Sequence, residues 1–265
     1  MQYLETDFGK LAYKKYGNGQ CVHLLFHGFG QSMKSMSEFL KLKRPGDSFY
    51  FFDIYFHGNS NWKNSKGKLD KNKWKSVIEA LKEKEAFDQF HLIGYSMGGK
   101  FSLITFELYP EHVLSLTLMA PDGIRTGLWY SLATYPGIFN RLFKYIIFHP
   151  KIFFKWIGRL KKMGLIEKSL EKFVQQQMAT RTMRAQIYFT WNAFKPFQPD
   201  LKHIINEWNR LETPGRLFLG TYDQMVTTQN LSSFYQKIRP LKMVELPCGH
   251  NALIGATVQY LQKNS

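Results

Sequence analysis

Ser96 stands at the centre of Gly94-Tyr95-Ser96-Met97-Gly98, a spacing that makes a serine a candidate nucleophile for acyl transfer. The residues before it, Gln89 to Ile93, form a short apolar run of strand character. The residues after it, Lys100 to Tyr109, carry Phe101, Ile104, Leu108 and Tyr109 at helical spacing. A strand, a sharp turn with serine at its apex and a helix would strain the serine backbone. The residues two places either side must then be very small, and Gly94 and Gly98 occupy those places. The helix aims its free N–H groups beside the hydroxyl, where negative charge develops in acyl transfer. Taken alone, the five residues also fit a glycine-rich turn with no chemistry, so the elements around them have to decide.

In chain order, residues 2–8 and 10–16 are expected as two strands around Gly9, a hairpin at one sheet edge. The apolar strand Cys21 to Phe26 runs into His27-Gly28-Phe29-Gly30. A helix is expected over 32–42, with Met33, Met36, Phe39 and Leu40 along one side. A buried strand, Ser48 to Ile54, contains Asp53 near its end and is followed by His57-Gly58-Asn59-Ser60. A helix from about Leu69 to Lys84 presents Trp74, Val77, Ile78 and Leu81. After the Ser96 unit comes Val113 to Ala120, the sixth predicted strand. Strands alternating with helices imply right-handed crossovers and a mostly parallel sheet, whose ligands bind beyond the carboxyl ends of the strands. His27, Asp53, Ser96 and Asp122 all fall at such ends.

Between Pro121 and about Thr213 the pattern becomes helical throughout. Phe139, Leu142, Phe143, Ile146, Ile147, Phe153, Phe154, Ile157 and Leu160 keep helical period across Pro150, with lysines and arginines between them. Further helical stretches are expected near 165–179 and 181–194, before a break at Pro196 and Pro199. Residues 121–213 therefore form an expected helical cap inserted into a core made of 1–120 and 214–265. The α/β pattern resumes with the strand Arg216 to Gly220, then Thr221-Tyr222-Asp223. A helix near 227–237, the strand Lys242 to Leu246, Cys248-Gly249-His250 and a short last helix follow.

The 265 residues, 44% of them hydrophobic, suffice for one sizeable core. No apolar run is long enough for a bilayer span, and the N-terminus lacks a basic patch and an apolar signal core, so a cytoplasmic location is expected. The net charge of +16 invites a nucleic-acid or membrane partner. Lysine nevertheless outnumbers arginine about three to one and is spread over most helices, the pattern of solvated faces rather than of phosphate-reading forks. No nucleic-acid partner, no cofactor and no metal site are expected; peripheral membrane contact through the basic cap is the remaining surface reading.

Four motifs, matched in order and spacing, resemble the α/β-hydrolase superfamily over nearly the whole chain, in the branch with a helical cap after the sixth strand. They are His27-Gly28-Phe29-Gly30, Gly94-Tyr95-Ser96-Met97-Gly98, Gly220-Thr221-Tyr222-Asp223 and Gly249-His250. The resemblance implies a mostly parallel eight-stranded sheet flanked by helices. It also implies a triad: Ser96 as nucleophile, His250 as general base and Asp223 holding the imidazole tautomer. The backbone N–H groups of Phe29 and Met97 would hold the oxyanion. His27, Gly28, Gly94 and Gly98 would support the two loops, and Asp53 would brace its own. Asp122 is the alternative acid, since some members of the family carry it after the sixth strand. In this fold Cys21 and Cys248 would lie four strands apart, about 19 Å, beyond disulfide reach. The implied activity is hydrolysis of an ester or other activated acyl compound bearing a small to medium apolar acyl group. Gly-Tyr-Ser-Met-Gly-Gly-Lys also resembles the menaquinone-pathway synthase, so carbon–carbon hydrolysis or lyase chemistry is an alternative. A binding protein that has lost turnover is the other.

Overall fold

A computed structural model describes residues 1–64, 67–124 and 180–264, with positions 141, 144, 145, 148, 149, 151, 155, 158 and 159 between them. The helical stretches expected over 139–160 and 165–179 therefore lie outside the described residues, apart from those single positions.

The first two strands, β1 (Gln2–Thr6) and β2 (Gly9–Tyr16), form the expected edge hairpin. Its turn falls at Asp7-Phe8, however, and Gly9 is the first residue of β2. Gly9 pairs there with Trp62 of a two-residue strand, and a Cβ on it would lie 2.4 Å from the Asn61 carbonyl oxygen. The remaining strands are β3 (Cys21–Phe26), β4 (Asp47–Phe52), β5 (Asn61–Trp62), β6 (Phe90–Tyr95), β7 (Val113–Met119), β8 (Gly215–Gly220) and β9 (Leu241–Leu246). The sheet runs β1-β2-β4-β3-β6-β7-β8-β9, with β5 as a ninth, short strand beside β2. Pairing is parallel from β4 to β9 and antiparallel only at the β1, β2 and β5 edge. Central strands such as β4 are buried along their whole length, as strands covered on both faces must be.

On one face lie α1 (Lys71–Glu85) and α2 (Met97–Leu108). Asp70 caps α1 by accepting from the Lys73 amide at 2.9 Å, and Ala86 closes it in the left-handed region. Trp74 of α1 meets Phe26 of β3 and Phe101 of α2 edge-on, at 5.7 and 4.9 Å between ring centres. The helix expected over 32–42 is a 3-10 helix over Met33–Leu42. Its buried residues Met33, Met36 and Phe39 recur every third position, the period of that tighter helix. It packs against β3, β4 and the last helix, α6 (Leu253–Lys263). The helix expected at 181–194 is α3 (Arg181–Ala193), and α5 (Thr228–Tyr235) lies between β8 and β9.

One element escaped the sequence reading. Residues Leu201–Leu211 form α4, capped by Asp200, which accepts from His203 N at 3.1 Å. Its Trp208 is buried, sits on Phe106 of α2 at 5.2 Å, and donates its indole N–H to the Thr213 carbonyl. Ahead of α4, Phe194 and Phe197 pack on Phe101. No helix among the described residues is long and apolar enough to cross a membrane.

Candidate active site

The strand order sets the place. From β3 the chain goes to β4 on one side and, after α1, to β6 on the other, so the loops after β3 and β6 diverge at a switch point of the sheet. His27 follows β3 and Ser96 follows β6.

Ser96 adopts φ 51° and ψ −118°, a strained conformation for a side chain with a Cβ. The turn is held from three sides. Ser96 N–H donates to the Met119 carbonyl, and the Ser96 carbonyl accepts from Gly99 and Asp122, all at 2.8–2.9 Å. A Cβ on Gly98 would lie 2.0 Å from the Phe26 carbonyl oxygen, and one on Gly94 would lie 2.4 Å from Ser102 Oγ. Both positions are closed to any larger residue, as the spacing implied. The helix begins at Met97, directly after the serine, rather than at Lys100.

Asp223 follows β8 and His250 follows β9, the next strand across. His250 Nδ1–H donates to Asp223 Oδ2 at 2.6 Å, and the Ser96 hydroxyl donates to His250 Nε2 at 3.2 Å. A carboxylate can only accept, so this contact puts the imidazole proton on Nδ1 and leaves Nε2 bare towards the serine. Asp223 Oδ1 accepts from the amides of Met225 and Val226 at 2.8 and 3.0 Å. Burial by itself would raise the Asp223 pKa. The His250 hydrogen bond and charge and the two amides outweigh it, holding the carboxyl below its usual 3.8. Asp122 is placed differently: its carboxylate accepts from the Gly123 amide at 2.7 Å and makes no hydrogen bond to His250 among the described residues.

The His27-Gly28-Phe29-Gly30 loop is fixed by buried groups. His27 Nδ1–H donates to the Gly28 carbonyl at 2.7 Å, and His27 Nε2 accepts from the Ile54 amide at 3.0 Å. Accepting at Nε2 requires a neutral ring with its proton on Nδ1. Burial, with the neighbouring His57 next in weight, pushes its pKa down to about 3. His57 donates from Nδ1 to the Tyr55 carbonyl at 3.0 Å, and burial pushes it down to about 4. Phe29 stacks edge-on against the His57 ring at 5.2 Å. A Cβ on Gly28 would lie 2.8 Å from the Tyr95 ring. Asp53 braces the neighbouring loop: Oδ1 accepts from Met33 N at 2.7 Å and Oδ2 from Asn59 N at 2.8 Å. No hydrogen bond among the described residues uses the amide of Phe29 or that of Met97, the residue directly after the serine.

Two further residues hold the site without a signature that sequence could flag. Tyr95 O–H donates to the His250 carbonyl at 2.9 Å, tying the histidine loop to β6. Gln31 Oε1 accepts from Gly28 N at 3.1 Å and from Ser35 Oγ at 3.0 Å. A separate cluster lies at the opposite ends of the strands, where Cys21, His23 and His91 bring one ligand atom each within 4.8 Å of one another. Sequence spacing pointed to no such group, because sheet register rather than chain proximity assembles it.

Comparisons with known proteins agree with this architecture. A family model described as the alpha/beta hydrolase fold matches residues 24–150. A protein of Mycoplasma pneumoniae, provisionally named an esterase/lipase, is 28% identical over 102 residues, and the match takes in 37% of each chain. A thermophilic esterase from Thermogutta terrifontis superimposes with a TM-score of 0.69 at 17% identity, covering 99% of this chain and 97% of the other. MGS-M2, an alpha/beta hydrolase from a Medee basin deep-sea metagenome library, gives 0.68 at 15% identity over 98% and 94%. The chain therefore has the α/β-hydrolase fold, which the family model matches over residues 24–150, and the Mycoplasma and Thermogutta proteins similar to it carry esterase names.

Proposed function

We propose that the protein is a serine esterase that cleaves an ester or other activated acyl compound through an acyl-enzyme on Ser96. Ser96 Oγ attacks the acyl carbon while His250 Nε2 takes its proton. Asp223 keeps the ring oriented and stabilises the imidazolium. The N–H groups of Phe29 and Met97 hold the oxyanion of the tetrahedral intermediate. His250 returns the proton to the leaving group, then activates the water that releases the acid. The observation that carries this reading is the unbroken chain from Asp223 through His250 to Ser96, at 2.6 and 3.2 Å. The esterase names of the compared proteins add weight to it without specifying a substrate.

Within residues 121–213, the part ahead of Phe194 is proposed as a lid over this site, with an apolar acyl group bound beneath it, since Phe194, Phe197 and α4 pack on α2 instead. Exposed Tyr222 and Met225, on either side of Asp223, offer apolar surface at the mouth. The basic residues described between 141 and 159, Arg141, Lys144, Lys151, Lys155 and Arg159, are exposed. They would attract anionic substrates or surfaces with a strength that salt screens.

The test is a fluorophosphonate probe followed by a nitrophenyl ester series. The probe should label the peptide containing Ser96, and Ser96→Ala should abolish labelling and turnover. Each added acyl carbon should raise kcat/KM about threefold to fourfold until the pocket fills, from about 0.8 kcal/mol per buried methylene. Labelling at another serine would remove Ser96 from the mechanism. A flat chain-length response together with cleavage of carbon–carbon substrates would move the reaction to the lyase-type alternative.

A further inference from the structure

At the amino ends of the central strands, about 16 Å along β6 from Ser96, a second group of reactive side chains meets on one face of the sheet. Cys21 opens β3 and His23 lies two residues on, so both point to the same side. Phe26, at the other parity, packs on α1 and α2, which puts Cys21 and His23 on the opposite face. Register completes the set: Cys21 pairs with Asp47 on β4, and His23 pairs with His91 on β6. Parallel partners share a face, so four potential ligands converge from three strands.

The distances are already near those of a coordination sphere. Cys21 Sγ lies 3.4 Å from His23 Nε2, which lies 3.3 Å from Asp47 Oδ1. Tetrahedral zinc bonds of about 2.0–2.3 Å put neighbouring ligand atoms roughly 3.3–3.5 Å apart. The ligand atoms of Cys21, His23 and His91 all lie within 4.8 Å of one another, with Asp47 outside that group, so His91 and Asp47 must close on each other by more than about 1 Å. The His23 and His91 rings stack at 4.7 Å and 18°, and turning one ring out of the stack directs its lone pair inward. Outer contacts support the ligands. Ser115 Oγ lies 2.7 Å from His91 Nδ1, and Asp47 Oδ2 accepts from the Arg44 amide at 2.7 Å. His23 and Asp47 side chains are 18% and 12% exposed, enough for an ion to enter from solvent.

We propose that Cys21, His23 and His91, with Asp47 as fourth ligand, bind a borderline-soft divalent transition-metal ion, Zn2+ being the ion that this donor set fits. A thiolate and two imidazoles exclude the hard ions Mg2+ and Ca2+, which take oxygen ligands. On binding, the Cys21 thiol gives its proton to solvent and the thiolate bonds the ion; no electron is transferred. The ion would pin β3, β4 and β6 together at the end of the sheet remote from Ser96.

The experiment uses the full chain carrying Cys248→Ser, so that Cys21 is the sole thiol. The metal-free protein is titrated with Co2+, read by thiolate-to-cobalt charge-transfer absorption, and with Zn2+ against a chromophoric chelator. One equivalent should bind. Cys21→Ser should abolish the charge-transfer band, and His91→Gln should weaken Zn2+ binding by about a hundredfold. His250→Gln should leave binding unchanged. Absence of saturable binding, binding indifferent to Cys21→Ser and His91→Gln, or binding lost with His250→Gln would each overturn the site. Should the ligand variants not fold, alkylation of Cys21 in the Cys248→Ser protein decides. Zn2+ must slow it, and an unchanged rate refutes the proposal.

Discussion

The loop that carries the Phe29 amide should be acid-labile, and the size of the effect follows from two buried imidazoles. His27 and His57 sit at about 3 and about 4 in the folded protein, against a usual 6.5 in an unfolded chain. Their folded values are depressed, so between these limits the unfolded chain binds more protons and stability falls as pH falls. At about pH 5 the unfolded rings are almost fully protonated and the folded ones are not, which costs about 2 kcal/mol for each ring relative to neutral pH. These two rings sum to about 4 kcal/mol, to which His91, likewise pushed down to about 4 by burial, adds, and together they are a large part of the 5–15 kcal/mol that holds a typical domain folded. Protonating His27 would also remove the Nε2 lone pair that accepts from Ile54 N, freeing the loop beside Ser96. Denaturant unfolding at a series of pH values between about 7 and 5 reads the slope directly. His27→Gln cannot titrate and should flatten the profile by about 2 kcal/mol across that window, whatever it costs at neutral pH. A wild-type profile without slope, or one that His27→Gln leaves unchanged, refutes the reasoning. Carboxylates such as Asp223 do not confuse the readout, because its folded value lies below 3.8 and its stabilisation is lost only as pH falls through that lower region.

Asp223→Asn should lower kcat by about ten thousandfold while leaving thermal unfolding near wild type, since an amide favours the wrong imidazole tautomer. Asp122→Asn should cost far less, and ester turnover of the two variants side by side checks the ranking. Gly98→Ala drives a Cβ to 2.0 Å from the Phe26 carbonyl oxygen and should yield no folded protein in circular dichroism. Gly255→Ala, in α6 with nothing within 4 Å, should stabilise by up to about 1 kcal/mol in the same assay. Trp208→Ala should cost about 3–5 kcal/mol in denaturant unfolding, because it empties the contact of α4 with Phe106 and Phe234.

Much of the fold was legible because parallel strands buried on both faces read as apolar runs, and the helices between them as 3.6-residue stripes. Helix α4 shows where reading stopped. Leu201, Ile204, Ile205, Trp208 and Leu211 keep a helical stripe behind an Asp200 cap, but Pro196 and Pro199 just ahead of it read as a chain break. Helical type over Met33–Leu42 was also open, since Met33, Met36 and Phe39 fit a three-residue period while Leu40 fits a wider α-helical face.

By itself the sequence determined the strand–turn–helix around Ser96. Gly94 and Gly98 admit a backbone approach that no other residue allows, and local chain geometry carries that information. It also determined that histidine and acid follow late strands. Only the tertiary structure decided which acid reaches His250. Asp122 and Asp223 each follow a strand and look alike in one dimension, but β8 lies beside β9, and the Asp223 carboxylate meets Nδ1 at 2.6 Å. Asp122, after β7, is turned to its own neighbour Gly123. The same holds for Cys21, Asp47, His23 and His91: no local pattern relates them, and their meeting follows from the register of three parallel strands.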